Sequence, residues 1–294
     1  MNIKLFLIPL FFLLISCSKK DETKSIKNPK GKQEAEIKND TSGLSHYDLD
    51  SKDPLKINVP RELVELSGIT FTPDYRLFGM QDESGVIYQI DVSNGGVIKK
   101  FAIGNSVLKK DFEDIVFVDG YFYLLESNGD LYEFKEAGDQ EYSEYKLYET
   151  ELSKSSDAEG LCYDPETNSL LIACKGSSGT GEKNEKAVYS FSLSEKKLDP
   201  NPRFVIPISE VNNHFNPSGI ERNPLTGSFF IIAANGSEII EITKEGEIID
   251  RHPLKDKIHP QPEGIAFSKD NQLLISSEGK SGSGSIVIYP FIKK

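Results

Sequence analysis

The chain has 294 residues and a formal net charge of −12, all of it carried beyond residue 50. That length allows one large domain or two small ones. The acidic balance excludes the clustered lysines and arginines with which proteins displace counterions from nucleic acid, and as a ligand it suits at most a cation or a metal ion.

Residues 1–16 hold one early lysine, Lys4, and an apolar run over 5–15. The run is too short to span a bilayer and suits the core of a signal peptide. The junction Leu14-Ile15-Ser16-Cys17 resembles the bacterial lipobox, where a small residue precedes a cysteine that is diacylated, freed by cleavage and N-acylated. Cys17 is therefore the expected lipid attachment point, and the expected address is the bacterial cell envelope, anchored in the outer membrane. Ser18-Lys19-Lys20-Asp21-Glu22 looks like the export signals of some surface lipoproteins, although a solvated linker explains it equally well. Residues 17–53, rich in Lys, Asp, Glu, Asn, Ser and Gly, read as the lipidated cysteine and a disordered tether. A flexible coil of about 35 residues reaches on the order of 30 Å.

From residue 54 to 294 the texture changes to strands cut by Gly, Asn, Asp and Pro. One phrase opens a strand five times: Leu66-Ser67-Gly68-Ile69, Phe112-Glu113-Asp114-Ile115, Ala158-Glu159-Gly160-Leu161, Pro217-Ser218-Gly219-Ile220 and Pro262-Glu263-Gly264-Ile265. The interval is about 45 residues, with one longer gap after the third copy, which is the period of a four-stranded propeller blade. The first repeat predicts strands at 67–72, 76–81, 86–92 and 97–103; the second at 113–118, 121–126, 130–135 and 142–148. The third predicts 159–163, 170–174, 187–193 and 204–208, and the fourth 219–222, 228–233, 238–243 and 247–253. The fifth has only three, at 264–267, 272–277 and 285–291, while a lone segment at 55–59 precedes the first repeat. Joining that segment to the last three completes an all-β, five-bladed propeller closed by an N-terminal strand, with no exposed sheet edge left between its ends.

The phrases Leu66-Ser67-Gly68, Asp157-Ala158-Glu159-Gly160-Leu161, Asn216-Pro217-Ser218-Gly219-Ile220 and Gln261-Pro262-Glu263-Gly264-Ile265-Ala266 resemble the SdiA-regulated family of bacterial envelope β-propellers. The resemblance covers roughly residues 55–292 and implies a five-bladed propeller without implying a reaction. Related propellers include calcium-dependent phytase-like esterases and lactonases. Two positions depart from the pattern: Asp114 replaces a glycine, and Arg222 stands where the other repeats have Phe or Tyr.

Cys162 and Cys174 fall on successive strands of the third repeat. Symmetric pairing sets Cys162 opposite about residue 171 and Cys174 opposite about residue 159, more than 7 Å apart along the strands and too far for a disulfide. Buried packing thiols are expected.

In a propeller the innermost strand of each blade starts on the face where the second strand ends, so both positions meet at one mouth of the channel. The strand starts bring Ser67, Glu113, Glu159, Ser218 and Glu263 there, and the second-strand ends bring Asp82, Glu126, Lys175, Asn235 and Glu278. Glu113, Glu159, Glu263, Glu126 and Glu278 are candidate ligands for Ca²⁺, which takes six to eight oxygens; Ser67, Asp82, Lys175, Ser218 and Asn235 are candidates for the ligand mouth. Crowded carboxylates also raise one another's pKa, as acid–base chemistry requires. A Glu or Ser repeated at a strand start also suits a purely structural role, bonding backbone N–H groups of the next blade. The glycine-rich loops at 176–181 and 279–284 border the same mouth, and His214 and His259 precede repeat starts close to it. No G-x-S-x-G or H-E-x-x-H occurs. The expectation is a monomeric binding module for a small ligand or protein, against a calcium-dependent hydrolase of esterase, lactonase or phosphatase type.

Overall fold

The computed structural model describes residues 42–152, 154–279 and 282–294, so the signal peptide, Cys17 and most of the expected tether lie outside the described residues. Among the described residues the chain forms five sheets, and one repeated phrase lies in the inner strand of each. The inner strands are Leu66–Phe71, Phe112–Val118, Ala158–Asp164, Asn216–Arg222 and Pro262–Phe267. Each lies beside the inner strands of two neighbouring blades, which makes a ring around a central channel. The fold is all-β, a five-bladed propeller.

Side chains alternate across a strand, so each blade offers apolar residues to both of its neighbours. The core is accordingly divided into five clusters, one per blade interface. Blade 3 illustrates the division. Cys162, Leu171 and Ala173 pack toward blade 4, whereas Leu161, Ile172 and Cys174 pack toward blade 2. The two thiols are free, buried and on opposite faces of one sheet, a second reason beside the register (Cys162 opposite Leu171, Cys174 opposite Ala158) that they do not pair.

The fifth sheet takes its outer strand from Leu55–Asn58, which runs antiparallel to Ser285–Tyr289 from Leu55 opposite Ile288 to Asn58 opposite Ser285. Two outer strands differ from expectation. The predicted strand 142–148 is split: Tyr142–Ser143 runs parallel beside Ala102 and Ile103 of blade 1, while Tyr145–Tyr148 stays with Leu131–Phe134 of blade 2. The cause is the open edge of blade 1, where the N–H groups of Ala102 and Gly104 find the carbonyls of Glu141 and Ser143. In blade 3 the outer position is shared by Lys197–Leu198 and Phe204–Pro207.

The packed chain also begins earlier than composition indicates. Residues 42–53 were expected within the tether, yet Leu44, Tyr47 and Leu49 are buried against blades 4 and 5. Polar contacts fix this strap. The Ser42 hydroxyl donates to Glu241 and Asp250, the Leu44 N–H to Glu241, and the Tyr47 hydroxyl to the Asn271 carbonyl at 2.9 Å. Three apolar side chains among many polar ones are too few to show in composition, but each is worth roughly 1.5–3 kcal/mol once buried.

Candidate functional site

The repeated Ser or Glu occupies a β-bulge in every blade. Phe112 faces Glu126 and Asp114 faces Leu125, which leaves Glu113 unmatched; Glu159 and Ser218 are skipped in the same way. In blades 1 and 5, Ser67-Gly68 opposes Met80 alone and Glu263-Gly264 opposes Ser276 alone. A bulge frees one residue from the ladder and re-aims its side chain. Here it does so at the start of five inner strands.

The glycine after the bulge explains the rest of the phrase. A side chain on Gly68 would lie 2.7 Å from Asp114 Cα, one on Gly160 would lie 2.9 Å from the Ile220 nitrogen, and those on Gly219 and Gly264 would collide with the carbonyls of Glu263 and Ser67. Neighbouring inner strands touch at these glycines. Asp114, the exception, uses its carboxylate at the same contact: it accepts from its neighbour Ile115 N–H at 2.8 Å and from Leu161 N–H of blade 3 at 2.7 Å.

The mouth residues expected from the sequence divide into two groups. Glu113, Glu159, Glu263 and Lys175 come together and perturb one another. Glu159 is buried and bonded to the Lys175 ammonium at 2.6 Å. Burial, partly offset by that lysine and reinforced by the charges of Asp157 and Asp111, leaves its carboxyl pushed up to about 7. Burial and the charges of Glu159, Asp111 and Glu263 push Glu113 up to about 9, and burial with Glu159 and Glu278 holds Glu263 well above the usual range. Among the described residues neither Glu113 nor Glu263 has an ion pair. Asp82 is pushed up to about 6 by burial, then by Glu65, Glu83 and Asp111, and its buried Oδ1 has no partner among the described residues.

The others are committed to structure. Glu126 is buried and takes the Tyr132 hydroxyl at 2.7 Å and the Lys110 ammonium at 3.1 Å. Glu278 accepts from the Gln261 amide at 2.6 Å. Ser218 donates to the Pro262 carbonyl of blade 5 and accepts from Ala234 N–H; Ser67 donates to the Glu65 carbonyl. Asn235 is exposed opposite Asn216. Neither serine makes the expected bond to an N–H of the next blade: Ser218 reaches a carbonyl there and an N–H of its own blade, and Ser67 a carbonyl two residues back. His259 is buried with Nε2 2.7 Å from the Tyr289 hydroxyl, away from the position expected for it, while His214 is exposed.

A second ring of polar residues went unread. Glu65, Asp111, Asp157, Asn216 and Gln261 each stand two places before the bulged residue. Asp111 and Asp157 act on the glutamates directly, and Asp157 lies 4.0 Å from Lys175. The signal was present as a fully polar column in the repeat. Among the described residues no group of three or more His, Cys, Asp or Glu is arranged to hold a metal ion. The three glutamates are near enough to repel, and Lys175 and bound protons relieve that repulsion.

Residues 194–287, the outer strands of blade 3, blade 4 and most of blade 5, match the family model described as SdiA-regulated, the family that the repeated phrases resemble. No curated protein matches the chain. Among solved structures the chain is similar to the glutaminyl cyclase of Myxococcus xanthus (12% identity over 82% of this chain and 97% of that one, TM-score 0.55). It is also similar to a glucose dehydrogenase (13%, 80% and 99%, 0.55) and to a luciferin-regenerating enzyme (12%, 81% and 95%, 0.52). At such identities the likeness is one of fold alone.

Proposed function

We propose that this protein is a lipid-anchored propeller of the cell envelope that binds a small ligand bearing cationic or hydrogen-bond-donor groups at the acidic mouth. The observation that carries this reading is the bulge repeated in all five inner strands. Such a device re-aims a side chain at the channel entrance, and in blades 2, 3 and 5 that side chain is a glutamate. Among the described residues Glu113 and Glu263 are half-buried without an ion pair of their own, so a ligand supplying positive charge or donors would replace the protons they hold. A binding role is favoured over a hydrolytic one because Lys175, the cation that could polarise a substrate, is already paired with Glu159. The anchor rests on the Leu14–Cys17 junction, and Cys17→Ser should release the protein from the membrane fraction.

The test is a melting series with 1,4-diaminobutane, with graded Ca²⁺ and with chelator, on wild type and on the double variant Glu159→Gln, Glu263→Gln. The diamine should raise the melting temperature in proportion to the logarithm of its concentration, and the double variant should lose that response. A flat wild-type response to diamine overturns the reading. Stabilisation by Ca²⁺ that the double variant loses, together with turnover of phosphoesters or lactones, would replace it with the calcium-dependent hydrolase.

A further inference from the structure

The inner strands end at a second mouth, on the opposite face from the acidic one, and it is built differently. At their ends or one place before stand Phe71, Phe117, Tyr163 and Phe267, one aromatic from each of four blades, and all four line a cavity of about 450 Å³. All are half-buried, with part of the ring left open. One residue earlier, the same strands carry Thr70, Val116, Cys162 and Ala266. Blade 4 breaks both rings, for it has Glu221 in the inner position and Arg222 in the aromatic one, and both line the cavity.

These two charges are not each other's partners. The Arg222 guanidinium donates to Glu166 at 2.8 Å and lies 3.8 Å from Asp164, and Glu166 also takes Lys244 at 2.8 Å. Two carboxylates therefore neutralise the arginine from outside the cavity. Glu221 is left with one hydrogen bond among the described residues, from the backbone N–H of Arg222 at 2.8 Å. A carboxyl set among aromatic faces in a cavity of this size fits the general design of a ligand pocket, an apolar lining with few placed polar groups. Aromatic faces and a carboxylate share one preference, for positive charge.

We propose that this second mouth is a binding site for a small organic cation, such as a quaternary ammonium, seated on the faces of Phe71, Phe117, Tyr163 and Phe267 with Glu221 as its counter-ion. Burial pushes the Glu221 carboxyl up to about 8, against the pull of the Arg222 backbone and charge. The other groups facing it do not supply a cation. Asp114 on blade 2 and Cys162 on blade 3 are held high by burial first and then, among other causes, by the charge of Glu221. Tyr163 stands in the ring, and Lys269 at the rim lies over the Tyr75 ring, 5.1 Å from its centroid. In the free protein at neutral pH Glu221 therefore holds a proton, and a bound cation expels it. Affinity for a cation should then rise with pH up to about 8, nearly tenfold per unit in the steep part, and level off above. A neutral ligand taking a hydrogen bond from the protonated carboxyl would show the opposite slope.

The experiment titrates full-length protein with choline and with 3,3-dimethyl-1-butanol, its uncharged isostere, by calorimetry between pH 6 and pH 9. Choline itself does not titrate there, so any slope belongs to the protein. Choline should bind at least about tenfold more tightly than the isostere, with affinity rising with pH, and Glu221→Gln should remove both the preference and the slope. The wild-type pH series and the isostere comparison need no variant, so a poorly folding Glu221→Gln does not spoil the test. Equal affinity for choline and the isostere, no choline binding at millimolar concentration, or affinity falling with pH would each overturn the proposal. So would choline binding that survives Glu221→Gln but is lost in the Glu159→Gln, Glu263→Gln pair, because that result places the cation at the opposite mouth.

Discussion

At the strand-start mouth the repeated position carries Glu113, Glu159 and Glu263, while at the far end of the same five inner strands the repeated position carries Phe71, Phe117, Tyr163 and Phe267. One end gathers charge that repels itself; the other gathers faces that attract a charge. In both, the ring position sets the environment and the residue that breaks the ring sets the chemistry. Lys175 does so at the acidic end, where from the end of a second strand it bonds Glu159 and lies 4.0 Å from Asp157, and Glu221 with Arg222 does so at the aromatic end. A propeller can thus carry two unlike sites on one axis, because a strand places its first and last side chains on opposite faces at fixed separation.

The largest effect should come from breaking what both mouths share. Gly219→Ala sets a methyl group against the Glu263 carbonyl where blades 4 and 5 meet. Overpacking against backbone costs on the order of 2–3 kcal/mol, and the melting temperature should fall by roughly 5–10 °C in a domain of this size. Ligand binding at both mouths should weaken together. Gly282→Ala is the control, since an added methyl there meets nothing within 4 Å among the described residues.

A smaller change separates the two ends. Tyr47 packs against Phe267 with ring centroids 6.2 Å apart and bonds the Asn271 carbonyl, and both residues line the aromatic mouth. Tyr47→Ala should cost about 3 kcal/mol by chemical denaturation. It should weaken choline binding while leaving the response to 1,4-diaminobutane unchanged, and an equal loss at both mouths would show that the strap supports the whole ring instead of one end.

The last test is a slope. Glu113 has a raised carboxyl, so the folded state keeps a proton that the unfolded chain has already released; the stability this gives is full below about pH 4.5 and lost as pH rises through about 9. Glu159, released at about 7, and Glu221, at about 8, add to the same decline. Melting temperature should fall steadily from pH 5 to pH 9, and Glu113→Gln should flatten the upper part of that fall and be more stable than wild type at pH 9. A variant curve parallel to the wild-type curve would mean that Glu113 is solvated.

How much of this was legible can be judged residue by residue. The strand starts were readable because five copies of one phrase expose the position that matters even where its chemistry differs, as with Ser67 and Glu113. Their fates were not readable. Glu126 and Glu278 look in the sequence like Glu263, yet Tyr132, Lys110 and Gln261 engage the first two, and those partners are set by how loops return over the blade. The departure at Asp114 was visible as a departure, but its meaning needed the Leu161 N–H of another blade.

Hydrophobic alternation and a repeat of about 45 residues determined the blades, their number and the position that would face the channel, because both are local properties of a strand and its period. Only the tertiary structure decided that the repeated residue sits on a bulge, that Leu44, Tyr47 and Leu49 belong to the core, and that Glu221 lines an aromatic cavity. Each of those depends on which blade lies beside which, and on burial. No single strand carries that information, since a carboxylate's ionisation is set by the neighbours that remove its water.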